Sequence, residues 1–128
     1  MGITQRMASI TLAAEPASAR AARRLVREAC AEGGVSGELT DTAQLLTSEL
    51  VTNAMIHGRS ALTVQTSLSD GLLRVEVGDD NSRHPQLRPT DDSALDGRGL
   101  HIIDLLAASW GVTDQPFGKA VWFELEVV

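Results

Sequence analysis

The chain has 128 residues, 43% of them hydrophobic and 22% charged, which is the length of one domain with enough apolar material for one core. A formal net charge of −6 argues against a general nucleic-acid binder, which presents a basic face. The single cysteine excludes an internal disulfide and a cysteine metal cluster, and no apolar run approaches the roughly 18–20 residues of a membrane-spanning helix.

Ser9–Leu12 is short and partly alternating, a first strand. Pro16 opens a helical stretch, Ala17–Glu32, in which Leu25, Val26, Ala29 and Cys30 form an apolar stripe. Cys30 reads as a small core residue, and Gly33-Gly34 stops the helix. N-cap candidates lie between Ser36 and Thr42. A long second helix follows, with Leu39, Ala43, Leu46, Leu50 and Ala54 at helical spacing up to Gly58.

The period then changes to two. Leu62, Val64, Thr66 and Leu68 alternate with polar residues, Ser69-Asp70-Gly71 is a turn signal, and Leu73, Val75 and Val77 alternate again. Residues 80–96 hold two prolines and few apolar side chains, and 83–96 read as a flexible lid. Gly97-Arg98-Gly99 is expected as a turn introducing a third helix through Leu100, Ile103 and Leu106. Trp110-Gly111-Val112 begins a strand, 115–118 a turn, and Val121, Phe123, Leu125 and Val127 mark the last strand. Trp110 and Trp122 read as core or sheet-face residues, His101 as a structural histidine and Lys119 as a solvated turn residue. This order predicts an α+β two-layer sandwich, residues 1–128 as one domain, with a mixed, mostly antiparallel sheet covered on one face by about three helices. Met1–Ala14 lacks the apolar core of a secretory signal, so the expected location is cytoplasmic.

Three short segments could carry chemistry. Glu49, Asn53 and His57 stand at i, i+4 and i+8 and share one helix face. A carboxylate and an amide oxygen one turn apart suit a hard cation such as Mg²⁺, which takes its remaining oxygens from phosphates and water. The carboxylate could also accept a proton from an attacking hydroxyl. Spacing alone favours the plainer reading, the solvated face of an amphipathic helix. Asp79 and Asp80 end a strand, where a carboxylate can accept from an exocyclic amine or simply make a turn. Gly97, Arg98, Gly99 and Leu100 stand at a helix start, whose free N–H groups and partial positive charge suit a phosphate.

Taken together and in this order, the segments resemble the ATPase superfamily shared by DNA gyrase, heat-shock chaperones and sensor histidine kinases, the GHKL type. The similarity is greatest to its stand-alone branch of anti-sigma-factor serine/threonine kinases, and it runs from about Ser9 to Val128. The resemblance implies a Bergerat-type ATP-binding fold, ATP or ADP with Mg as cofactors, and possible homodimers. It implies an anti-anti-sigma (STAS-domain) protein or a sigma factor as partner, with no nucleic acid and no membrane involved. Glu49 inherits the catalytic base, Asn53 the Mg ligand and Asp79 the adenine contact. His57, Gly97, Gly99 and Leu100 inherit places around the nucleotide, and Arg98, at the open position of G-x-G-L, reads on its charge as either a phosphate cation or a solvated lid residue. The second motif, V-x-V-x-D-x-G-x-G, is matched by Val75, Val77 and Asp79, but Asn81 and Arg83 replace both glycines. That departure keeps a second expectation open, a non-catalytic nucleotide-binding module that sequesters a regulatory protein.

Overall fold

The computed structural model describes residues 6–57, 61–80, 95–116 and 118–127, the side chains of His57 and of 95–98 lying outside the description. The elements in chain order are β1 (Arg6–Ala13), α1 (Ala17–Glu32), α2 (Gly37–His57), β2 (Ala61–Ser69), β3 (Leu72–Asp79), α3 (Leu95–Leu106), β4 (Ser109–Gln115) and β5 (Gly118–Glu126). Five strands form one sheet in the order β1-β2-β3-β5-β4, and all four pairings are antiparallel, so the parallel component for which a mixed sheet left room is absent from them. The helices pack on one face, which makes the expected α+β two-layer sandwich.

Local chemistry sets each boundary. The Ser18 hydroxyl donates to the carbonyl of Ala13, tying the start of α1 to the end of β1. At the far end of α1 the Val35 N–H returns to the carbonyl of Cys30 at 2.9 Å. Ser36 caps α2, its hydroxyl accepting from the Leu39 N–H at 3.3 Å. Between β2 and β3, Asp70 (φ 53°) and Gly71 (φ 73°) form a two-residue turn with Ser69 opposite Leu72. Two successive positive φ angles give the mirror-image turn whose twist matches that of a hairpin.

The core lies between sheet and helices. Ala22, Val26 and Cys30 of α1 and Leu46, Leu50 and Val51 of α2 are buried against Leu62, Val64, Val75 and Phe123 of the sheet. Burial pushes the Cys30 thiol above the ordinary cysteine range, and a hydrogen bond with Thr40 opposes the shift. Leu100 and Ile103 bring α3 into the same core. On the other sheet face Arg74 lies 4.1 Å from the centroid of the Trp122 ring and pairs with Glu76 and Glu124, each at 3.2 Å. Trp110 donates from Nε1 to Asp104 at 2.9 Å, fastening β4 to α3. His101 is exposed on α3. No helix among the described residues is long and apolar enough to cross a membrane.

Candidate functional site

The second helix brings its two polar candidates to different depths. Glu49 is half-buried, whereas Asn53 is only 4% exposed and stands among Leu50, Val51 and Ala54 on the buried side of α2. The solvated reading therefore fails for Asn53. Its Nδ2 is buried and has no hydrogen-bond partner among the described residues. An unsatisfied buried amide costs about 1–3 kcal/mol, so its presence points to a group that satisfies it in the working protein.

The third helix explains this burial. It starts at Leu95, so Gly97, Arg98 and Gly99 lie inside its first two turns. This corrects the expectation of a glycine turn ahead of the helix. Leu95 and Asp96 continue the helical pattern backwards, and glycine near a helix start is only mildly unfavourable. The correction changes what each residue can contribute. The N–H groups of the first three residues of a helix have no intrahelical acceptor, and here they belong to 95–97. Gly97 keeps a backbone donor for an anion. Arg98, Gly99 and Leu100 lie past that set, and the Leu100 side chain is fully buried in the core.

Gly99 has another use. A β-carbon on it would lie 2.9 Å from Oε2 of Glu49, 3.5 Å from Oδ1 of Asn53 and 3.6 Å from its Nδ2. The missing side chain lets the start of α3 sit directly on the carboxylate and amide of α2. Three residues from two motifs, Glu49 and Asn53 of the first and Gly99 of the third, thus meet in one place.

A second group forms at the end of the sheet. Asp79 is the last residue of β3, on the helix-covered face in phase with Val75 and Val77. Opposite it in register stands Lys119 of β5. Its Nζ donates to Oδ1 of Asp79 at 3.0 Å, and the two side chains are 2% and 1% exposed. The expectation of a solvated turn lysine is therefore wrong. The signal was present in the sequence: Lys119 is in phase with Val121, Phe123 and Leu125, the inward residues of β5. His57 ends α2, its side chain outside the description. The expected lid, 83–96, also lies outside it as far as 94, and Leu95 and Asp96 belong to α3.

The family model of the histidine kinase-like ATPase domain matches residues 12–125. The RsbU and RsbW domains of Rv1364c from Mycobacterium tuberculosis share the fold, with a TM-score of 0.74 at 23% identity over 95% of this chain and 32% of that one. The blue-light activated histidine kinase of Erythrobacter litoralis EL346 is similar at a TM-score of 0.54 and 29% identity, over 73% of this chain and 32% of that one. The chain thus spans about a third of the length of each. No curated protein matches it.

Proposed function

Because the chain belongs to the histidine kinase-like ATPase domain family, we propose that it is an ATP-binding regulatory protein that phosphorylates a serine or threonine of an anti-anti-sigma (STAS-domain) partner, acting as an anti-sigma factor. The observation that carries the reading is the contact of Gly99 with Glu49 and Asn53, which joins the first and third motifs at one point. The branch resemblance and a fold neighbour containing an RsbW domain support the choice of partner.

The residues fit Mg-ATP. Asn53 offers an oxygen for Mg²⁺, and its buried Nδ2 needs an acceptor such as a phosphate oxygen. When bound, Mg²⁺ would supply positive charge against the phosphates, with water and phosphate completing its shell. The N–H groups at the start of α3, that of Gly97 among them, would hold the phosphates from the other side, with Arg98 adding a formal positive charge. Asp79 would accept from the adenine amine at the sheet end. Glu49, half-buried beside Gly99, would orient the incoming hydroxyl and take its proton. Phosphoryl transfer depends mainly on positioning and electrostatics, and these groups supply both.

The replaced glycines at Asn81 and Arg83, with Lys119 on Asp79, favour one second reading, a module that binds nucleotide and sequesters its partner without transfer. Incubation with labelled Mg-ATP and STAS proteins decides between them. Label on a partner serine or threonine supports the kinase. Calorimetric ATP binding without transfer supports the module, and neither binding nor transfer removes both.

A further inference from the structure

The outward stripe of α2 is not uniformly polar, as the solvent side of an amphipathic helix ordinarily is. Leu45 is 44% exposed and Ile56 is 48% exposed. Their spacing in the chain sets them within about 20° of each other around the helix and about 16 Å apart along it. Glu49 and Thr52, both half-buried, fall between them on the same stripe. The carboxylate beside Gly99 therefore has an apolar shoulder toward each end of the helix. Beyond Leu45 the stripe continues through Asp41 and Glu38, both exposed, and no lysine or arginine occurs anywhere in α2.

We propose that this stripe is the docking surface for the phosphoacceptor protein, with Leu45 and Ile56 seating an apolar surface of the partner so that its serine or threonine hydroxyl arrives at Glu49. The inference deepens the kinase reading and rests on it, through Glu49 as the group that receives that hydroxyl. The shape points to a macromolecule. Small ligands take concave sites, whereas this surface is the convex side of a helix and is longer than any amino-acid side chain. Exposed apolar side chains scattered singly need no explanation. These two are not scattered: they bracket the carboxylate assigned to the acceptor, and that placement selects the occupant. A second copy of this chain fits less well. A two-fold contact presents the same patch from both sides, so it would set one acidic stripe, Glu38, Asp41 and Glu49, against another with no cation on the helix between them. The partner surface that matches is apolar around its hydroxyl, and neutral or basic where it meets Asp41 and Glu38.

The test measures steady-state label transfer from Mg-ATP to the STAS protein that the wild-type full chain labels, with circular dichroism to confirm folding. Leu45→Gln combined with Ile56→Gln keeps side-chain size and adds no charge. This double variant is expected to raise KM for the partner about tenfold or more. Its kcat and its KM for Mg-ATP are expected to stay within about threefold of wild type, because lost docking weakens ground state and transition state alike. Leu45→Met with Ile56→Leu, which keeps the apolar surface, is expected to retain the wild-type partner KM. Met7→Gln, which removes an exposed apolar side chain from the uncovered face of the sheet, is expected to leave all three constants unchanged. If the double variant does not fold, each single substitution is expected to raise the partner KM about threefold. An unchanged partner KM in the double variant overturns the proposal and leaves the kinase reading standing. An equal rise in Met7→Gln overturns it as well. So does a shift from dimer to monomer on sedimentation of the double variant alone, which would give the stripe to a second copy. A wild type that binds Mg-ATP but labels no STAS protein removes the kinase reading, and this inference with it.

Discussion

A β-carbon on Gly99 would stand 2.9 Å from Oε2 of Glu49, closer than such contacts occur in proteins. Gly99→Ala must therefore move either the carboxylate or α3. Alanine is the better helix former by about 1 kcal/mol, so thermal stability should change little or rise slightly. Phosphoryl transfer should fall at least about tenfold, because displaced positioning groups lose rate steeply. Paired melting and transfer assays check this; unchanged transfer would show that the contact is packing alone.

Glu49→Ala should abolish phosphoryl transfer while leaving much of the ATP affinity. The carboxylate is assigned to the incoming hydroxyl, not to the nucleotide. Transfer at the normal rate, measured with labelled ATP and partner, would remove Glu49 as the base.

Asn53→Ala deletes both the proposed metal oxygen and the orphaned Nδ2. Loss of that unsatisfied donor offsets part of the cost of the cavity, so the apo protein should lose no more than about 1–2 kcal/mol. Nucleotide binding should lose its dependence on Mg²⁺, which calorimetry with and without chelator reads directly.

The covered Asp79–Lys119 pair makes a stability prediction of its own. Lys119→Ala leaves a buried charge and should cost about 3–5 kcal/mol. Replacing both partners, Asp79→Asn with Lys119→Met, should cost clearly less. Urea denaturation of the two single variants and the double variant measures the difference.

Cys30 is buried and its thiol is held above the ordinary range. It should resist alkylation in the native state and react quickly in urea. The linkage has a definite sign. As pH rises, the unfolded thiol ionises first, so the unfolded state binds fewer protons and stability falls between the unfolded and folded values. Cys30→Ala should flatten that alkaline decline in denaturation curves.

Most elements were readable because each has one period over its whole length. The Ala17–Glu32 helix, the long α2 and the turn at Asp70-Gly71 fall where spacing and turn residues place them. The first strand was read too short, because Arg6 to Ala8 carries no clear alternation and gains its strand geometry from pairing with Thr66 to Leu68. Gly97 to Gly99 was misplaced because two glycines resemble a turn when the helix they occupy is stabilised from outside, by packing on α2. Lys119 was misread for a related reason. Charge argued for solvent, and only the cross-strand partner, supplied by register, outweighs that argument. Asn53 was half legible: its type and spacing suggested a ligand, but its burial depends on α3, which lies more than forty residues further along the chain.

The strand order carries a consequence for how the molecule assembles. Asp79 belongs to the hairpin β2–β3 and Lys119 to the hairpin β4–β5, each closed by a short local turn. Local closures of this kind form in about 1–10 μs, long before distant segments meet. Edge strand β1 must wait, because α1 and α2 separate Ala13 from its partner Ala61. The step that unites β3 with β5 brings the two charges together, and it also decides whether the two hairpins share one sheet. A misregistered docking by one residue would turn Lys119 to the opposite face and leave Asp79 covered without it. The ion pair would thus penalise the wrong alignment of two apolar ribbons, favouring the native register over its one-residue slips.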